Sequence, residues 1–166
     1  MNHIAQTPNQ LAQRFPYQFT GNHLGLSIPK GWFDGFAQLC DDIDQVLGLD
    51  KRGFYWRQLK EKFGASRWYF CMAGQGDVRV DFQGNGRATS LVAPAHDNAN
   101  EANQIRTEIR ALVDRAEGET HHQCIVCGEQ ATLDRSSAYL LVLCSEHVRQ
   151  RSAGIMESPW FEEDES

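Results

Sequence analysis

Four residues near the end of the chain carry the clearest chemistry in it: Cys124 and Cys127 in Cys124-Ile125-Val126-Cys127-Gly128, and Cys144 and His147 in Cys144-Ser145-Glu146-His147. Two ligands separated by two residues let one tight turn aim both side chains at a single metal ion. Two such turns brought together give the tetrahedral donor set that zinc prefers. Gly128 follows the first pair, where the chain must turn sharply and glycine does so without steric cost. Sixteen residues separate the two pairs, a length that suits a short hairpin returning through residues 138–143. Thiolate donors restrict the metal to zinc or an iron–sulfur centre, and the histidine moves the choice to zinc. Four protein donors fill the sphere and leave no position for a substrate or an activated water, so the expectation is one structural zinc ion per chain.

The same residues admit other assignments. Cys144 could be a core cysteine at a strand end and His147 a surface histidine, which would leave only a redox-type Cys-x-x-Cys pair. His121 and His122 lie beside the first pair and could stand in for His147. Cys40 and Cys71 fall at apolar positions of a helix and a strand, where cysteine behaves as a small hydrophobe, and neither is expected to hold metal.

A catalytic constellation is missing: the chain has no Gly-x-Ser-x-Gly elbow, no phosphate-binding glycine loop, and neither a His-Glu-x-x-His nor a His-x-Glu motif. Asp41, Asp42 and Asp44 cluster on one side of a helix, where two carboxylates could share a cation but an acidic solvated face accounts for them as well. Arg57, Lys60, Lys62 and Arg67 interleave with Trp56, Phe63, Trp68 and Tyr69, a basic aromatic patch of the kind that stacks bases. The formal charge of −6 opposes that use, because general affinity for nucleic acid comes from cations neutralising phosphates.

The elements that must position these groups follow from periodicity. From Trp32 the apolar residues Phe33, Phe36, Leu39, Cys40, Ile43, Val46 and Leu47 recur at three and four, predicting a helix that follows Pro29 and stops at Gly48. Residues 54–63 fit either a strand or a helix, and the aromatic run Phe54-Tyr55-Trp56 favours the strand. Phe63-Gly64-Ala65 turns into a second strand over residues 67–72. Alternation from Asp77 to Phe82 predicts a third, its valines and Phe82 facing the core, and Gly84-Asn85-Gly86 a tight turn toward a weaker fourth around Ser90-Leu91-Val92. A second helix carries Ala102, Ile105, Ile109, Leu112, Val113 and Ala116 on one stripe and is expected to end at Gly118.

The expected fold is α+β, an antiparallel sheet of three to four strands flanked by two helices, with a small C-terminal module like a zinc ribbon or knuckle. Residues 1–30, with Pro8, Pro16 and Pro29, read as an extended arm lying on the body, loose at its tip. Residues 31–118 form the body, 119–150 the zinc module and 151–166 an acidic tail. At 166 residues with 41% hydrophobic composition the chain has material for a real core. No stretch approaches the roughly 18 apolar residues of a membrane helix, and the first residues lack the pattern of a signal peptide. Five cysteines, an odd number, fit reduced thiols better than a disulfide framework, so a cytoplasmic protein is expected.

Gly31-Trp32 opening a helix, Gln58-Leu59-Lys60-Glu61-Lys62-Phe63-Gly64 leading to Arg67-Trp68-Tyr69, and the two ligand pairs together resemble a widespread group of small bacterial and phage proteins of uncharacterised function. The resemblance covers residues 31–147. This chain departs from it by a glycine-rich hairpin near residues 74–86 and by a weaker approach to the last ligand pair. The resemblance implies the fold and the zinc module; it implies no activity. The closed metal site, the absent catalytic set and the acidic balance lead to the expectation of a non-enzymatic protein that binds a partner with a basic surface, such as a toxin or defence enzyme, in the manner of an immunity or inhibitor protein. The alternative is a nucleic-acid-associated zinc-binding factor.

Overall fold

The computed structural model describes residues 7–73, 78–84, 87–93 and 100–162, with side chains described outside 74–100. The expected loose tip, the Gly84-Asn85-Gly86 turn, the facing of residues 78–82 and most of the acidic tail fall outside it. The chain is mixed α+β. Its elements are helices α1 (Pro8–Arg14) and α2 (Pro16–Phe19), strand β1 (Gly25–Leu26), helix α3 (Phe33–Leu47), strands β2 (Tyr55–Lys62), β3 (Ala65–Cys71), β4 (Val78–Gly84) and β5 (Arg87–Ala93), helix α4 (Asn100–Thr120), strands β6 (Thr132–Asp134) and β7 (Leu141–Leu143), and helix α5 (Ser145–Ser152).

Residues 7–30 are not an extended arm. Thr7 caps α1 by accepting the Gln10 amide, and Pro8 and Pro16 each open a helix, where a missing N–H is no loss. Leu11 and Phe15, one turn apart, are buried in the main core. Gln18 is buried completely with its amide satisfied: Nε2 donates to the Cys40 carbonyl at 2.9 Å, and Oε1 accepts from Trp56 Nε1 at 3.2 Å.

Helix α3 forms where its apolar spacing predicts. It buries Phe33, Phe36, Cys40, Ile43 and Leu47 along one stripe and ends at Gly48, whose φ of 62° reverses the chain. Phe36 packs its ring 5.1 Å from both Trp56 and Trp68, so the helix lies across the inner face of the β2–β3 pair. The turn between β2 and β3 is the two residues Phe63 and Gly64, both at positive φ (58° and 77°), as a tight hairpin requires. The Glu61 carboxylate accepts the Gly64 amide at 2.6 Å and helps hold Phe63 in that costly conformation.

The sheet differs from the expected meander. Strand β1 pairs in parallel with β2 and closes a three-stranded sheet of order β1-β2-β3, while β4 and β5 form a separate antiparallel hairpin. The outer edge of β2 is taken by residues from the first thirty, with the Leu24 and Ser27 amides donating to the Arg57 and Leu59 carbonyls. Helix α4 runs past Gly118 to Thr120. Its last turn is fastened to β3: the Glu117 carboxylate accepts the Trp68 amide at 2.6 Å, and the hydroxyls of Thr120 and Ser66 lie 2.9 Å apart. Glycine costs helix about 1 kcal/mol, and anchoring on both sides of Gly118 offsets it. Among the described residues no helix is long and apolar enough to cross a membrane.

Candidate metal centre

A second apolar cluster, separate from the main core, is built from Trp32, Ile125, Val126, Ala131, Leu141, Val142 and Leu143. It supports two turns. In the first, the Gly128 amide donates to the Cys124 carbonyl and the Cys124 amide to the Glu129 carbonyl, both at 2.8 Å, and Gly128 adopts a φ of 79°. This knuckle aims Cys124 and Cys127 the same way. In the second, strand β7 ends at Leu143, Cys144 takes the position ahead of the first turn of α5, and His147 follows three residues later on the same helix end. The Ile125 amide donates to the Val142 carbonyl at 2.9 Å and joins the first turn to the strand carrying the second.

The four donor atoms of Cys124, Cys127, Cys144 and His147 all lie within 4.8 Å of one another. Cys127 Sγ and Cys144 Sγ are 3.9 Å apart, and His147 Nδ1 stands 3.1 Å from Cys144 Sγ and 3.4 Å from Cys124 Sγ. A tetrahedron of zinc–sulfur bonds near 2.3 Å has edges of about 3.8 Å, so the donors already sit at the spacing a four-coordinate ion needs. Cys124 and His147 are buried, while Cys127 reaches the surface. Burial raises the Cys144 thiol, but hydrogen bonds from the backbone and ring of His147 outweigh it and bring the group down to about 7. Burial and the neighbouring sulfurs push Cys127 up to about 11. The donor set fits a metal ion, and all four positions come from this chain.

The other candidates disperse. His121 and His122 follow the end of α4, their amides bonded to the Gly118 and Glu119 carbonyls, and neither belongs to the donor group. Burial, with Arg67 and His122 nearby, holds His121 below the usual imidazole value. Cys40 is fully buried in the main core, and burial pushes its thiol far up, as for a small hydrophobe. Cys71 lies at the end of β3, away from the cluster. The three aspartates are used separately: Asp41 pairs with Arg14 at 2.5 Å, Asp44 with Lys51 at 2.7 Å and with the Tyr17 hydroxyl at 2.8 Å, and Asp42 accepts from Gln38. Of the basic aromatic patch, Trp56 and Trp68 belong to the core. Lys60 stands over the Tyr69 ring at 5.2 Å and opposite Arg67 across the strand pair, but Arg67 is only 6% exposed.

Gly31 and Trp32 matter to the centre in a way their spacing does not reveal. The Gly31 amide donates to the Ile125 carbonyl at 3.0 Å, and Trp32 Nε1 donates to the Gln123 carbonyl at 3.0 Å. A Cβ on Gly31 would stand 2.0 Å from the Cys124 carbonyl oxygen and 2.7 Å from the Gly128 nitrogen. The start of α3 is therefore pressed directly against the cysteine knuckle. No protein-family model, curated protein or solved structure matches this chain.

Proposed function

We propose that the protein holds one structural zinc ion through Cys124, Cys127, Cys144 and His147 and acts by stoichiometric binding to another protein, as an immunity or inhibitor protein does. The observation that carries this reading is the closure of the donor set: three sulfurs and one imidazole nitrogen within 4.8 Å. Thiolate and imidazole donors in a tetrahedral set select zinc over harder cations. Zinc held by four protein ligands supplies folding energy and leaves no coordination site for chemistry. The two cysteine turns, β6, β7 and α5 then form one unit whose fold depends on the ion. Support for a protein partner is the charge of −6, which favours encounter with a basic surface.

Elemental analysis of protein never exposed to chelator should return close to one zinc per chain, and zinc below half per chain overturns the metal assignment. The binding role is tested by isolating a one-to-one complex from the native host and titrating the partner's activity with this chain. Turnover of any substrate at catalytic concentration, abolished by a point substitution that leaves the fold intact, overturns the non-enzymatic reading. A second reading, contact with single-stranded nucleic acid, draws on Lys60 and Tyr69 together on β2 and β3. It requires binding that weakens with salt and with Lys60→Ala.

A further inference from the structure

Away from the cysteine cluster, α1, β1 and α3 and the segment at residues 159–161 line a half-open pocket of about 220 Å³. Leu11 and Ala12 line it from α1, Leu26 from β1 and Phe36 from α3. Trp160 and Phe161 complete it from the far end of the chain. That segment is held down in three ways: the Lys30 amide donates to the Pro159 carbonyl at 2.7 Å, Pro29 and Trp160 form a β-bridge, and the Phe161 ring packs edge-on against Phe33 with centroids 5.2 Å apart. The pocket is therefore half-open, with a fastened wall at residues 159–161.

We propose that this pocket is a binding site for a small, uncharged aromatic molecule of one or two fused rings. Three features select that class. None of its thirteen lining residues is ionisable, so a charged ligand would lose its hydration with no counter-charge to meet it. Five of them, Phe19, Phe33, Phe36, Trp160 and Phe161, are aromatic and offer ring edges and faces to a flat ligand. An engineered apolar cavity of about 150 Å³ takes up benzene, and the larger volume here admits a second ring. The exposed residues Asn9 and Ser27 also line the space and supply hydrogen-bonding groups for one polar atom of the ligand. None of the lining residues belongs to the cysteine cluster.

The probe is indole, a neutral two-ring molecule with one N–H, titrated into the full zinc-loaded chain. Saturable one-to-one binding is expected, with amide shifts gathered in α1, β1 and residues 159–161. Ala12→Phe and Leu26→Phe fill the space from two different walls, and each should weaken binding by at least about tenfold, the loss of a few apolar contacts, with the far-UV spectrum unchanged. Absence of saturable binding, shifts gathered elsewhere, or undiminished binding in a folded filling variant overturns the proposal. The shift map on the unaltered chain decides the matter even if both variants fail to fold.

Discussion

Gly31→Ala tests whether the start of α3 and the cysteine knuckle form one unit. The Cβ it adds would lie 2.0 Å from the Cys124 carbonyl oxygen, and reaching the 3.4 Å of an ordinary contact requires a displacement of about 1.4 Å. The neighbouring atoms are backbone of the knuckle, held by the Gly128 and Cys124 amide bonds, so no flexible side chain can give way. Moving apart breaks the Gly31 bond to Ile125 and the Trp32 bond to Gln123. Two lost hydrogen bonds at about 1 kcal/mol each, added to overpacking of about 1–3 kcal/mol, give a cost near 4 kcal/mol. For a domain of this size that corresponds to a fall of roughly 8–16 °C in Tm. Gly35→Ala is the matched control, because a Cβ there meets nothing within 4 Å and alanine favours the helix interior by about 0.5–1 kcal/mol. Thermal unfolding of the three proteins, with zinc retention against a competing chelator, reads both effects. A Gly31→Ala protein that melts within about 2 °C of the parent, the range of an ordinary surface change, and keeps its zinc equally well would refute the reasoning.

On the proposed zinc assignment, metal binding is part of folding the C-terminal unit, so Cys124→Ser and Cys144→Ser should each lose bound metal and unfold it; Cys40→Ala, Cys71→Ala, His121→Ala and His122→Ala should keep one zinc per chain by elemental analysis. Gln18→Ala leaves the Trp56 N–H and the Cys40 carbonyl without their buried partner and should cost about 1–3 kcal/mol in denaturant unfolding; an unchanged midpoint would show that water replaces the amide. Burial raises the Asp44 carboxyl, but Lys51 and Tyr17 outweigh it and hold it below the usual range. Its contribution is therefore complete above the unfolded value near 3.9 and is lost as pH falls through the lower folded value. Asp44→Asn should cost under about 1 kcal/mol at neutral pH, the scale of a partly exposed pair, and the gap to the parent should close on acidification; a gap that widens toward low pH contradicts the assignment.

What the sequence made legible, and what it hid, divides by the range of the interactions involved. The clustering of Cys124, Cys127, Cys144 and His147 was readable because two donors three positions apart are placed by a single turn, and the facing turn needs only the hairpin through β7 to arrive. Helix α3 and the β2–β3 hairpin were readable for the same local reason, in apolar period and in a two-residue turn. Pro8 and Pro16 were misread as marks of an extended arm, since proline breaks a helix from within but opens one at its first position, and Thr7 ahead of Pro8 was the available signal. Strand β1 was beyond reach: two residues have no periodicity, and its pairing is decided by the free edge of β2. Gly118 looked like a stop because its neighbours' bonds to Ser66 and Trp68 are tertiary. Segments far apart in sequence also meet. Gly31 presses on Cys124 and Gly128, a Cβ on Gly64 would strike Leu133 of β6 at 2.5 Å, and the Tyr139 hydroxyl donates to Glu61 across the same junction at 2.5 Å. The helix start thus meets the first cysteine turn, and the hairpin tip meets β6 and the residues ahead of β7. The small size of Gly31 and Gly64 lets the cysteine-bearing segment sit close against the α+β body.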